Sequence, residues 1–212
     1  MGIHQCRWGY KNDSDFINVY KKYKSKQISI DAMWLDIDAM DKYQIFTLNK
    51  NKFKRLPEYI DDIIHKDHNY FIPIIDIGIS YNEQNLHLNM YAKIGDSNNL
   101  FIKSGYTHKN LIAKVWPGKT VFPDFFNPEI YKLWDLGLDN YYKEIKYDGI
   151  WLDMNEPSNS KKGGYYPGEI IEEEIKYNYI KDLKISYLPG YTNNLNHLIT
   201  GTISMNGITY NT

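Results

Sequence analysis

Carboxylates recur at the ends of three apolar runs of this chain. Asp36 and Asp38 stand at the end of ISIDAMWLDI (28–37), Asp76 at the end of YFIPIIDI (70–77), and Asp153 at the end of DGIWLDM (148–154), with Glu156 just beyond. Carboxylates brought together in a fold are costly unless they contact substrate, share protons or ligate a metal. For one such Asp, capping of the next loop is explanation enough; three in succession argue for a site. The pair Asp36 and Asp38 could hold a divalent ion, although a role in binding substrate hydroxyls ranks above it. The six His residues (4, 65, 68, 87, 108, 197) lack zinc spacing, and His65 and His68 fall at an exposed helix end. No metal and no cofactor is therefore expected. The chain carries no G-x-S-x-G, P-loop or G-x-G-x-x-G motif, which leaves acyl transfer and nucleotide chemistry without support.

The elements that must position these acids alternate in type. The three apolar runs read as strands buried on both faces. Between the first two, Pro57 opens a helical stretch, PEYIDDIIHK, with Ile60, Ile63 and Ile64 on one side, Asp61 and Asp62 early and Lys66 late. Between the second and third, residues 78–127 show turn residues and little periodicity. Pro128 then opens PEIYKLWDLGLDNYYKEI, with Ile130, Leu133, Trp134 and Leu138 at helical spacing. Strand–helix–strand–helix–strand with continuous apolar strands predicts an α/β fold with a parallel sheet covered by helices. Such a sheet is either doubly wound or closed into a barrel, and in both the functional residues collect at the carboxyl ends of the strands.

Composition narrows the partners. With 25 basic and 26 acidic residues, well interspersed, the net charge is -1, and no nucleic-acid partner is expected. The single Cys6 excludes an internal disulfide. No apolar run approaches the ~20 residues that span a bilayer, so no transmembrane segment is expected. The start, MGIHQCRWGY, has no signal-peptide pattern. Aromatics form 16% of the chain, including 20 Tyr and 5 Trp; core packing accounts for that content, and sugar stacking is the sharper alternative.

One segment is specific. GIWLDMNEPSN (149–159) resembles the signature of the family 31 glycoside hydrolases, the α-glucosidases and their relatives. GIHQCRWGY (2–10), MWLDIDAMD (33–41), KVWPGKTVFPDF (114–125) and YLPG (187–190) resemble further segments of that family in the same order, in the maltase and acid α-glucosidase type above all. The resemblance implies a (β/α)8 TIM barrel and hydrolysis with retention through a covalent glycosyl-enzyme, which needs two carboxyl groups about 5–5.5 Å apart. It implies Asp153 as nucleophile, Asp36 as the acid that anchors hydroxyls of the terminal glucose, and Ile37, Ile74, Trp116, Trp151 and Met154 as the lining of the sugar pocket. Arg7 and Trp8 are left out of the site as structural. Asn155-Glu156-Pro157 also resembles a motif of another barrel clan in which that Glu is the acid/base; the Trp151-x-Asp153-Met154 context favours Asp153.

In the family the acid/base Asp, a substrate-binding Arg and a His lie downstream of this signature. A whole barrel usually takes about 250 residues. Residues 1–212 are therefore expected to be the N-terminal half of the catalytic barrel, roughly its first four strands, truncated at both ends and inactive alone for want of the acid. The expected substrates are α-glucosides, maltose-like oligosaccharides. The alternative is a non-catalytic sugar-binding remnant or degenerate pseudoenzyme. The compartment implied by resemblance alone is the secretory pathway, lysosomal or extracellular.

Overall fold

The computed structural model describes residues 2–104, 107–155 and 157–161, with the strands 164–167, 184–187, 201–205 and 208–211. The chain divides into two compact units, residues 1–102 with 111–167, and residues 103–110 with 168–212.

The first unit runs β1 (His4–Gln5), α1 (Asp13–Ser25), β2 (Ala32–Leu35), α2 (Leu56–Tyr59), β3 (Tyr70–Ile75), β4 (Ile79–Ser80), α3 (Met90–Ser97), β5 (Ala113–Val115), β6 (Gly118–Val121), α4 (Ile130–Glu144), β7 (Trp151–Leu152), β8 (Ser158–Lys161) and β9 (Gly164–Pro167). Its main sheet has the order β1-β2-β3-β7, parallel throughout. His4 lies opposite Ala32, Trp34 opposite Ile72, and Ile74 opposite Trp151. The three expected strands are present and shorter than the apolar runs that announced them. β2 and most of β3 are enclosed, but β7 is not buried on both faces, since Trp151 is half-buried and Leu152 is 57% exposed.

Alternation along the strands divides their residues between two faces. Met33, Leu35, Phe71 and Ile75 are fully enclosed, and Phe71 meets Phe16 of α1 edge to face, with ring centroids 5.9 Å apart. This face carries the helices. Phe16 in turn meets Tyr10 at 5.2 Å, and Leu56, Ile60 and Ile64 add a second buried patch. Each such side chain contributes about 1.5–3 kcal/mol by leaving water.

Helix α1 has no counterpart in the sequence reading, although its signals are there. The Asn12 side chain caps it by accepting from the Asp15 N–H, Asp13 and Asp15 stand in the first turn, and Lys22 and Lys24 in the last. The stretch opened by Pro57 is helical as expected, but α2 passes into a π-helical turn over Ile60–His65. That turn presents Ile60 and Ile64 to the core and swings His65 to Asp148, with Nε2 and Oδ2 3.1 Å apart. His65 is thus half-buried and partnered rather than free at an exposed helix end; His68 is exposed, as expected. Asp148 also accepts from the Phe71 N–H at 2.7 Å, which joins the starts of β3 and β7.

Residues 78–127 hold more order than their periodicity suggests. The Asn89 side chain caps α3 through the Tyr91 and Ala92 N–H groups. The buried face of α3 is Tyr91, Ala92 and Gly95, and Gly95 accommodates the Phe101 ring where a Cβ would collide with it. β4, β6 and β5 form an antiparallel sheet, and the β5–β6 hairpin packs on the chain after β3, with Val115 against Gly78. β8 and β9 pair antiparallel.

In the second unit, β10 (Lys184–Tyr187), β11 (Gly201–Met205) and β12 (Ile208–Asn211) form an antiparallel sheet, with Ile185 opposite Ile203 and Ile203 opposite Tyr210. Tyr187 of YLPG ends β10; Leu188, Pro189 and Gly190 lie outside the described residues, as does Glu156.

Candidate active site

The face opposite the helices carries the candidate chemistry. Trp34 of β2 and Trp151 of β7 meet there with ring centroids 5.7 Å apart, and the Trp34 indole N–H donates to His4 Nδ1 at 3.1 Å. One residue pair further along each strand, the alternation places Asp36, Asp76 and Asp153 on this same side. The three act on one another electrostatically: Asp153 and Asp36 both raise the carboxyl of Asp76, and Asp153 raises that of Asp36. Cys6, two residues past His4, belongs to the group as well; its thiol is pushed up first by desolvation, then by Asp36 and Asp153. Carboxylates of three parallel strands thus converge at the carboxyl ends of those strands.

Local turns fix two of them. Asp36 accepts from the Ile37 N–H at 2.7 Å and caps the 3₁₀ turn Ile37–Ala39. Its carboxyl is nevertheless raised, by burial first, with the Ile37 N–H opposing and Asp38 and Asp153 adding to the rise. Asp153 accepts from the Met154 N–H at 3.0 Å. Met154 holds a left-handed backbone, φ 58°, and its carbonyl accepts from the Ser158 N–H. A non-glycine residue in that region costs of order 1–3 kcal/mol, and such strain concentrates at functional turns. Asp76 differs from both: it is 4% exposed and its Oδ1 has no hydrogen-bond partner, and burial ahead of its two neighbours pushes it up to about 7.

Among the apolar residues expected to line a sugar pocket, Ile37 and Ile74 are buried, Ile37 directly after Asp36 and Ile74 two residues before Asp76. Ile74 also pairs in register with Trp151. Trp151 and Met154 are half-buried next to Asp153. Trp116 lies in the turn between β5 and β6, half-buried against the core.

Asp38 turns away to another task, accepting from the Gly9 N–H at 2.7 Å and tying the loop after β1 to the loop after β2. Arg7 pairs with Asp15 at 3.1 Å, donates to the Gly9 carbonyl and lies over the Tyr10 ring.

Trp34 and Cys6 were not assigned to the site from sequence, and Asp76 was counted there only as one of three strand-end acids, with no role of its own. Trp34 is two residues before Asp36, and Asp76 two after Ile74; period-two alternation carries both signals.

These residues fall inside a known domain. The model of the glycosyl hydrolases family 31 TIM-barrel domain matches residues 1–197. The lysosomal alpha-glucosidase of Mus musculus is 36% identical over 163 residues, 77% of this chain and 17% of that protein. Alpha-xylosidase 1 of Arabidopsis thaliana is 39% identical over 167 residues, again 77% and 17%. Among solved structures, the catalytic subunit in the ER glucosidase II heterodimeric complex superposes with a TM-score of 0.68 at 28% identity, over 80% of this chain and 18% of that one. A family 31 alpha-glucosidase from Bacteroides thetaiotaomicron gives 0.62 at 30%, over 83% and 28%. The chain therefore spans about a fifth of the length of the relatives it matches, and its four-stranded parallel sheet is part of a (β/α)8 barrel. The chain belongs to glycosyl hydrolase family 31.

Proposed function

We propose that the protein containing this chain is a retaining α-glucosidase acting on maltose-like oligosaccharides, and that residues 1–212 supply the N-terminal half of its catalytic barrel with Asp153 as nucleophile. One observation carries the reading: Asp153 shares an electrostatic site with Asp36, at the strand ends above the Trp151 and Trp34 rings. Those rings offer apolar faces to a pyranose. Asp36 anchors sugar hydroxyls through charge-assisted hydrogen bonds, which are about twice as strong as neutral ones. Asp153 attacks the anomeric carbon as the glycosidic C–O bond breaks, forming a glycosyl ester that water then cleaves. The leaving oxygen takes its proton from an acid/base on a strand outside the described residues; general acid catalysis of this kind contributes about 10²–10⁴-fold.

The test is trapping. A 5-fluoro-α-glucosyl fluoride incubated with the full-length protein should label the peptide containing 149–159 at Asp153, and Asp153→Ala should abolish turnover while the protein stays folded. Label on another carboxylate, or turnover by the Ala variant, would remove Asp153 from this role. Saturable maltose binding without turnover in the wild type would support the sugar-binding remnant instead. Rates on aryl α-glucoside and α-xyloside settle which glycone is preferred.

A further inference from the structure

Asp76 is more deeply enclosed than either carboxylate it faces. It is 4% exposed, while Asp36 and Asp153 are half-buried. Asp36 and Asp153 each accept a backbone N–H; Asp76 Oδ1 is buried with no partner at all. An anion in that place would have this oxygen stripped of water with no donor in return. The groups acting on it make matters worse, for both are acids: Asp153 from β7 and Asp36 from β2. Cys6, past β1, interacts with those same two, and no described cation is among the groups that shift Asp76. Like charges packed together do not all ionise, and the proton settles on the member with least water and fewest donors.

We propose that Asp76 is the neutral acid of this site: it holds the proton of the three-carboxyl group, so that Asp36 and Asp153 remain anions, and it presents an O–H donor where they present acceptors. It is a positioning residue, acting through the two anions beside it. Its kinetic consequence rests on the glycosidase reading; its protonation state does not.

Both levels are open to experiment in the full-length protein. Above about pH 7 wild-type Asp76 ionises. The donor is then lost and a third anion stands beside Asp36, so kcat/KM falls, and this group alone contributes up to about tenfold per pH unit beyond its midpoint. Asp76→Asn, neutral at every pH, should flatten that alkaline limb, and Asp76→Glu should restore it. An Asn variant with the wild-type limb overturns the proposal. Should the protein have no glycosidase activity, stability still decides. A carboxyl raised in the fold above its unfolded value contributes stability below the unfolded value and loses it as pH rises to the folded one. The Tm difference between Asp76→Asn and wild type should therefore grow in favour of Asn from about pH 4 to pH 7 and level off above. Asp76→Ser, also neutral, serves the same comparison if the amide fails to fold. A difference that stays constant with pH shows Asp76 ionised in the fold and overturns the assignment.

Discussion

Trp34 on β2 and Trp151 on β7 bring their ring centroids within 5.7 Å, although β3 lies between their strands. Two strands intervening by one would hold side chains roughly 9–10 Å apart in a flat sheet. The contact reaches across the intervening strand, and each indole stands two residues before an acid, Trp34 before Asp36 and Trp151 before Asp153.

Trp34 should accordingly matter to a residue it is remote from in sequence. Aromatic pairs of this kind are worth about 0.5–1.5 kcal/mol beyond burial, so Trp34→Ala, which frees Trp151, should raise KM by roughly two- to tenfold. Trp34→Phe keeps a ring and gives up only the N–H donated to His4, and should fall between. Steady-state kinetics on an aryl α-glucoside decide it; an unchanged KM in the Ala variant would mean the pair does not shape the sugar pocket.

Gly137 sets packing against helix propensity. In an exposed helix, Gly→Ala gains about 1 kcal/mol. In α4, a Cβ on Gly137 would run into the Phe46 ring, which is itself wedged against Trp134 and Tyr91 at 5.1 Å each. Overpacking costs typically about 1–3 kcal/mol, so the net effect should be loss of stability. Denaturant unfolding of Gly137→Ala reads the sign directly, and a gain in midpoint would show that Phe46 simply steps aside.

Much of this was legible because the parallel sheet writes itself twice: as continuous apolar runs, and as acids at their ends. Asp36 and Asp153 could be placed by position and motif alone. Asp76 was visible as the same kind of strand-end acid, but what sets it apart, enclosure between two other carboxyls, exists only once three strands are side by side. Trp34 was hidden for a related reason; its partner is 117 positions away in the chain. Helix α1 shows the opposite failure, since Asn12 and the charges around it are ordinary capping signals that a reading drawn to apolar runs passes over. His65 was misjudged because its burial depends on Asp148, and on a π-helical turn that no periodicity of 3.6 announces.

Met154 should separate stability from activity. Its left-handed φ of 58° is free of strain only for glycine. Met154→Gly relieves about 1 kcal/mol of that strain, partly offset by the flexibility glycine brings to the unfolded chain. The variant should unfold no earlier than wild type, yet lose kcat/KM because the side chain beside Asp153 is gone. A variant both less stable and equally active would reverse the argument.

Asp36 gives the acid side of the pH profile. Burial raises its carboxyl above the usual carboxylate range, the Ile37 N–H works against that, and Asp38 and Asp153 add to it. As pH falls, Asp36 takes up a proton earlier than an exposed Asp would, and the hydrogen bonds proposed between it and sugar hydroxyls should drop from the charge-assisted range, about 1.5–3 kcal/mol, to the neutral one, about 0.5–1.5. KM should therefore climb on acidification before kcat does. Asp36→Asn cannot lose a charge it never had, so its KM should start high and stay flat over the same interval. Measuring KM and kcat separately for both proteins from neutrality downward provides the check. A wild-type KM that holds steady while kcat alone falls would assign the acid limb to another group and leave Asp36 without an anionic role.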